Sequence, residues 1–147
     1  MAKIESTVTI ARPREEVFNY FLALDENIPR TNPDVEYVVK TPEGPTVVGT
    51  ILRSRGKSLG KIRETSMQFT GIVPNEKIEF EGEVGPMRPR CVFIFDQTQS
   101  GTKVTFRGDP NPVGLFKLLA PAFGRMGRRV WGKRLARAKA ALEASAS

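Results

Sequence analysis

Hydrophobic and polar positions alternate from Lys3 to Ala11, with Ile4, Ser6, Val8 and Ile10 on one side and Lys3, Glu5, Thr7 and Thr9 on the other. A period of two sends successive side chains to opposite faces of an extended chain, so this stretch predicts a half-buried strand. The pattern then changes. Arg12-Pro13-Arg14-Glu15-Glu16 sets a proline at a helix start, followed by acids that the positive end of the helix dipole stabilises. Val17, Phe21 and Leu24 follow at helical spacing with Tyr20 beside them, and the helix ends before Pro29. Residues 27–33 predict a second short helix or a turn, closed by Pro33.

The period of two then returns. Val35, Tyr37 and Val39 predict one face of a strand that stops at the turn residues Pro42-Glu43-Gly44-Pro45. Val47–Arg55 predicts the next strand and Gly56–Gly60 a turn; Lys61–Val73 predicts a long strand with Met67, Phe69 and Val73 on one parity, ended by Pro74-Asn75. Glu76–Val84 alternates most cleanly, with Ile78, Phe80 and Val84 opposite Glu79, Glu81 and Glu83, so one face is core and the other water. Beyond the turn at Gly85-Pro86-Met87-Arg88-Pro89, Cys91, Phe93 and Phe95 share a face, with Val92 and Ile94 behind them. Lys103–Arg107, carrying Val104 and Phe106, closes the series after Ser100-Gly101. Connections this short imply an antiparallel meander.

Asp109-Pro110-Asn111-Pro112 ends the sheet, and a long helical segment runs from there to about Ala144. Leu115, Leu119, Ala122 and Met126 form one stripe, with Phe123 and Val130 near its edge; Trp131, Leu135, Ala138 and Leu142 form another, rotated from the first. Pro121, Gly124, Gly127 and Gly132 offer places to bend, so a bent helix or two consecutive helices are expected. The fold class is therefore α+β: a seven-stranded antiparallel curved sheet wrapped on a long C-terminal helix, with two short helices after the first strand. There are no repeats and no linker, so residues 1–147 read as a single domain. Two short helices cannot fill a sheet of that size, which implies an apolar-lined cavity between the sheet and the terminal helix.

Composition narrows the chemistry. The 147 residues include no histidine, which excludes Ser-His-Asp and Cys-His nucleophile systems and a His-ligated metal. The single Cys91 can form neither an internal disulfide nor a multi-cysteine zinc site, as expected of a reducing compartment. No apolar run of signal-peptide length opens the chain and no 18-residue apolar stretch occurs, so a soluble, cytoplasmic protein is expected. Charge is unevenly spread. Residues 1–109 hold 15 basic and 15 acidic side chains; residues 110–147 hold eight basic ones and only Glu143 on the other side, so the whole net charge of +7 lies in the last quarter. Such asymmetry marks either a solvated helix face or an anionic partner.

The opening IESTVTIARPREEVFNYF resembles that of the START/Bet-v-like (SRPBCC) superfamily, in particular its polyketide cyclase/dehydrase-like branch. The Gly49 strand, the corner Thr70-Gly71-Ile72-Val73-Pro74 and the hairpin Ser100-Gly101-Thr102-Lys103-Val104-Thr105 are similar to it too. So is the closing Leu135-Ala136-Arg137-Ala138-Lys139-Ala140-Ala141-Leu142-Glu143, where Ala138 stands in the place of a usual leucine. The resemblance covers essentially the whole chain and implies the helix-grip fold. Its members range from lipid carriers and hormone sensors to aromatase/cyclases, and fold alone does not choose among them.

The apolar set suggests a pocket for a small hydrophobic ligand of lipid, polyketide or isoprenoid type. Its candidate lining residues are Phe21, Met67, Phe69, Phe80, Phe93, Phe95, Phe106, Leu119, Phe123 and Met126. The same pattern would serve a packed core. An enzyme of this shape, a cyclase, aromatase or dehydratase, would need polar groups inside the pocket. By parity the candidates are Tyr37, beside Val35 and Val39; Arg53 and Arg55, beside Ile51; and Arg63, beside Met67 and Phe69. An arginine there could hold a carboxylate or enolate and a tyrosine could donate to an oxyanion. No paired acid/base constellation is visible, so no catalytic residue is assigned and a binding or carrier role is favoured over an enzyme. No motif for a metal, nucleotide or flavin is present, and no cofactor is expected. The stretch GLFKLLAPAFGRMGRRVWGKRLARAK has the make-up of an interfacial helix, which makes an anionic membrane surface a candidate partner. No nucleic acid is expected, because the basic residues lack an interleaved aromatic platform. Val92 and Ile94 on the outer sheet face leave monomer and homodimer both open.

Overall fold

The computed structural model describes residues 3–31, 33–58 and 61–144. Strand β1 (Ile4–Ile10) is followed by helices α1 (Arg14–Leu22) and α2 (Leu24–Thr31). Six strands come next: β2 (Val35–Thr41), β3 (Ile51–Ser58), β4 (Lys61–Val73), β5 (Lys77–Glu83), β6 (Arg90–Thr98) and β7 (Gly101–Asp109). A 3-10 segment (Gly114–Leu119) then leads into α3 (Ala120–Ala144). All seven strands form one antiparallel sheet in the order β1-β7-β6-β5-β4-β3-β2, so the meander closes back onto the first strand.

The inner face changes character along the strands. In one row across the sheet Phe106, Phe93, Ile78 and Ile72 stand opposite one another. Phe95 and Val104 lie beside them, and Val17, Phe18 and Phe21 of α1 close over this end. Phe18 meets Phe95 edge-on at 5.4 Å and Phe21 lies 4.8 Å from Phe93. Further along the strands small residues enter the inner face. Ser54 faces Thr65 and their hydroxyls hydrogen-bond at 2.6 Å; Gly56, Gly82 and Gly108 occupy inner-face positions nearby. The aromatic end is filled and the other end is hollow.

Helix α3 runs over this sheet with Leu135, Ala138 and Leu142 buried at helical spacing, and Trp131 stacks on Phe106 at 4.0 Å. Gly127 passes so close to β1 that an added Cβ would collide with the Ile4 side chain. The C-terminal end is tied to β1 by polar contacts. The Arg12 Nε donates to the Leu142 carbonyl at 3.0 Å, the Ala11 N–H donates to Glu143 at 2.9 Å, and Lys139 donates to the Thr9 carbonyl at 2.8 Å.

Three expectations need correction. The C-terminal segment is two consecutive helices, but they divide at Leu119 and Ala120, where 3-10 geometry gives way to α3, and not at the glycines within α3. Gly56 belongs to β3 rather than to a turn, because its lack of a side chain lets the strand approach Asp34 and Val35 of β2; residues 59–60 of the expected turn lie outside the described residues. The third concerns β2, where the register shifts between Val35 and Tyr37. The extra residue, Glu36, puts Val35 and Val38 on the inner face and turns Tyr37 and Val39 outward.

Candidate functional site

The small inner-face residues of β3, β4 and β5 leave a cavity of about 370 Å³ beneath α3. Its floor is Val38, Leu52, Ser54, Thr65, Met67, Phe80 and Gly82, and its roof is Phe123, Met126, Gly127, Val130 and Trp131. Leu24 and Ile28 of α2 close one side. Asp34, Lys57 and Lys133 are exposed as well as lining, so they form its rim. A second, small cavity of about 40 Å³ lies on the other side of Trp131 and Arg134, against Tyr20, Phe21, Asn27 and Phe93.

The residues expected to line a pocket divide into four groups. Met67, Phe80, Phe123 and Met126 wall the large cavity. Phe21 and Phe93 touch only the small one. Phe69, Phe95 and Phe106 are fully buried and pack behind, as core. Leu119 is half exposed in the 3-10 segment and reaches neither cavity. Its expected helical stripe does not exist there, because the 3-10 segment breaks the 3.6-residue period.

Of the expected polar groups, Tyr37, Arg53 and Arg55 face outward and Arg63 alone keeps the expected parity. Tyr37 is 42% exposed on the outer face, opposite Arg55. Arg53 is exposed, and Arg55 pairs outside the sheet with Glu36 at 3.3 Å and Glu64 at 3.9 Å. Arg63 shares the inner parity of Thr65 and Met67 but sits near the strand end, outside both linings.

The cation at the cavity comes instead from the helix. Arg134 and Arg137 of α3 border both cavities, and the Arg134 guanidinium lies 4.7 Å from the centre of the Trp131 ring. Burial holds Arg134 below the ordinary arginine range, and the neighbouring Arg137 charge adds to this. Cys91, also in the wall, has its thiol pushed up to about 12 by burial, which outweighs the lowering effect of Arg134. At neutral pH it is a neutral thiol and a poor nucleophile. The Asp109 carboxylate, on the same wall, accepts the Asn111 N–H at 2.9 Å. Such a site can enclose an apolar body and face it with a guanidinium.

Arg134 was legible as more than a surface charge. It falls three residues after Trp131 and four before Ala138, on the stripe that packs inward. The glycine row had no such signal.

A family model described as polyketide cyclase / dehydrase and lipid transport matches residues 1–145. The chain belongs to that family. It lies within the SRPBCC superfamily, and the seven-stranded curved sheet with its long terminal helix is the architecture expected of it. Among solved structures, Ara h 8.0201 is 17% identical with a TM-score of 0.75, over 97% of this chain and 95% of that one. TTHA0849 from Thermus thermophilus is 16% identical with a TM-score of 0.76, over 99% of both. The di-domain ARO/CYC StfQ from the steffimycin biosynthetic pathway is 19% identical with a TM-score of 0.78, over 99% of this chain but only 51% of its own length. At these identities the likeness establishes fold alone. No curated protein matches the chain. No helix among the described residues is long and apolar enough to cross a membrane.

Proposed function

We propose that the chain binds or carries a small hydrophobic molecule, of lipid, polyketide or isoprenoid type, in the cavity beneath α3. The observation that carries this reading is the division of the inner face: rings pack one end tightly, while Ser54, Thr65, Gly56 and Gly82 leave about 370 Å³ at the other. That volume is within the ~300–1,000 Å³ of small-molecule sites, and the lining is mainly apolar, with charged groups at its rim and at Arg134 and Arg137. A cyclase or dehydratase in the same cavity would need a proton acceptor beside its cation. The Cys91 thiol, kept neutral by burial, is a poor one, and the binding reading requires no such group.

Mass spectrometry of organic extracts from the natively purified protein tests this, with a Ser54→Phe variant that fills the cavity from the sheet side as control. A stoichiometric apolar compound in the first extract and its loss from the second is the expected result. The same compounds in both, or in a mock purification, would contradict the reading.

A further inference from the structure

We infer that the cavity takes an amphipathic anion, with an apolar body along Met67, Phe80 and Phe123 and a carboxylate or similarly charged oxygen head at Arg134. This rests on the reading of the cavity as a ligand site and names its ligand class. Among the described residues neither Arg134 nor Arg137 forms an ion pair, whereas Arg12, Arg55, Arg88, Arg90 and Arg107 each have a carboxylate within ion-pair distance. Arg55, Arg88, Arg90 and Arg107 are exposed and paired, whereas these two half-buried arginines at the cavity wall are not. A desolvated cation without a counter-charge is costly, and the face of Trp131 offsets only part of that cost. The planar fork of the guanidinium matches two carboxylate oxygens. Arg137, one turn further along α3, adds positive potential at the same spot.

Calorimetric titration of the full chain with decanoate and with decanol, at neutral pH, separates the two levels of the argument. Decanol reports the apolar cavity; the difference between the two reports Arg134. Decanoate is expected to bind about tenfold tighter or more, a preference that Arg134→Met abolishes while decanol binding persists. Should Arg134→Met fail to fold, Arg134→Gln provides the same comparison. Equal affinity for the two compounds, or a preference that survives the substitution, would overturn the inference. Failure of both compounds to bind would overturn the ligand reading beneath it.

A separate observation carries a second inference. The 3-10 segment exposes Leu115 (85%) and Leu118 (82%), with Phe116 and Leu119 about half exposed. Beside them Lys117, Arg125, Arg128, Arg129 and Lys133 are exposed, and no acidic residue occurs between positions 110 and 142. The geometry points to docking of this face on an anionic bilayer, with the leucines at the acyl boundary and the cations among the headgroups. A second copy would set two positive faces against each other, and nucleic acid offers exposed leucines no apolar surroundings. Co-sedimentation with vesicles of phosphatidylcholine alone, or mixed with phosphatidylserine, is the test. Sedimentation is expected only with phosphatidylserine, reversed by high salt and lost in Leu115→Ser/Leu118→Ser with thermal stability unchanged. Sedimentation independent of phosphatidylserine, an unaffected double variant, or a dimer that the double variant dissolves would each overturn it.

Discussion

Truncating Phe93 and Phe80 to alanine should separate a filled core from the wall of a cavity. Phe93 is fully buried and sits among five rings: Phe21 at 4.8 Å, Phe80 and Phe106 at 5.5 Å, Trp131 at 5.6 Å and Phe95 at 6.4 Å. Neighbours held by the sheet on one side and two helices on the others cannot collapse into the gap, so Phe93→Ala belongs at the upper end of the ~3–5 kcal/mol range for such truncations. Phe80 is almost as buried but borders the 370 Å³ cavity. Part of its surface already lacks partner atoms, and Phe80→Ala should fall at about 3 kcal/mol, the lower end. For 147 residues, an unfolding entropy of about 2.1 cal/mol/K per residue makes each kcal/mol worth roughly 3 °C in Tm. Phe93→Ala should therefore melt about 12–15 °C below the parent and Phe80→Ala about 9 °C below it, by calorimetry or circular dichroism. A Phe80→Ala loss equal to or larger than that of Phe93→Ala would refute the reasoning, since the two rings would then be equally enclosed.

Other expectations follow from single contacts. Glu143 has its carboxyl held below the usual range, chiefly by the Lys139 hydrogen bond and then by the Ala11 N–H. A depressed folded-state value adds stability above the ordinary carboxylate pKa that is lost as pH falls through the folded value. Glu143→Gln should flatten the acid limb of a Tm-versus-pH curve, and an unchanged limb would show the contact to be idle. Gly132 faces open space in α3, so Gly132→Ala should raise stability by about 0.5–1 kcal/mol in urea unfolding through helix propensity alone. Neutralising Arg128, Arg129 and Lys133 together should change stability by less than about 1 kcal/mol, because these exposed side chains form no ion pairs among the described residues. A larger loss on thermal melting would assign them structural partners.

The clean alternation of β1 and β5–β7 made their inward faces legible, because apolar residues there oppose acids such as Glu79 and Glu81. In β2 and β3 the same rule pointed the wrong way. Of the inner residues there, Ser54 and Gly56 are small and border the cavity, while Tyr37 and Val39 lie outside. Where small residues make room for the cavity, the hydrophobic alternation that would mark an inner face is lost. The extra residue at Glu36 compounded this by reversing parity within one strand. On the helix side, Trp131, Leu135, Ala138 and Leu142 read correctly as an inward stripe, whereas Leu115 and Leu119 did not, since a 3-10 turn has no 3.6-residue face.

Trp131 offers the most direct measurement of the central claim. It is the only tryptophan, it roofs the cavity, and it stacks on Phe106 at the boundary between packed and hollow ends. Titrating decanol into the full chain should shift its emission saturably, and Ser54→Phe should abolish the response without unfolding the protein. A spectrum that does not move, or one that moves equally in the filled variant, would contradict a ligand in that cavity.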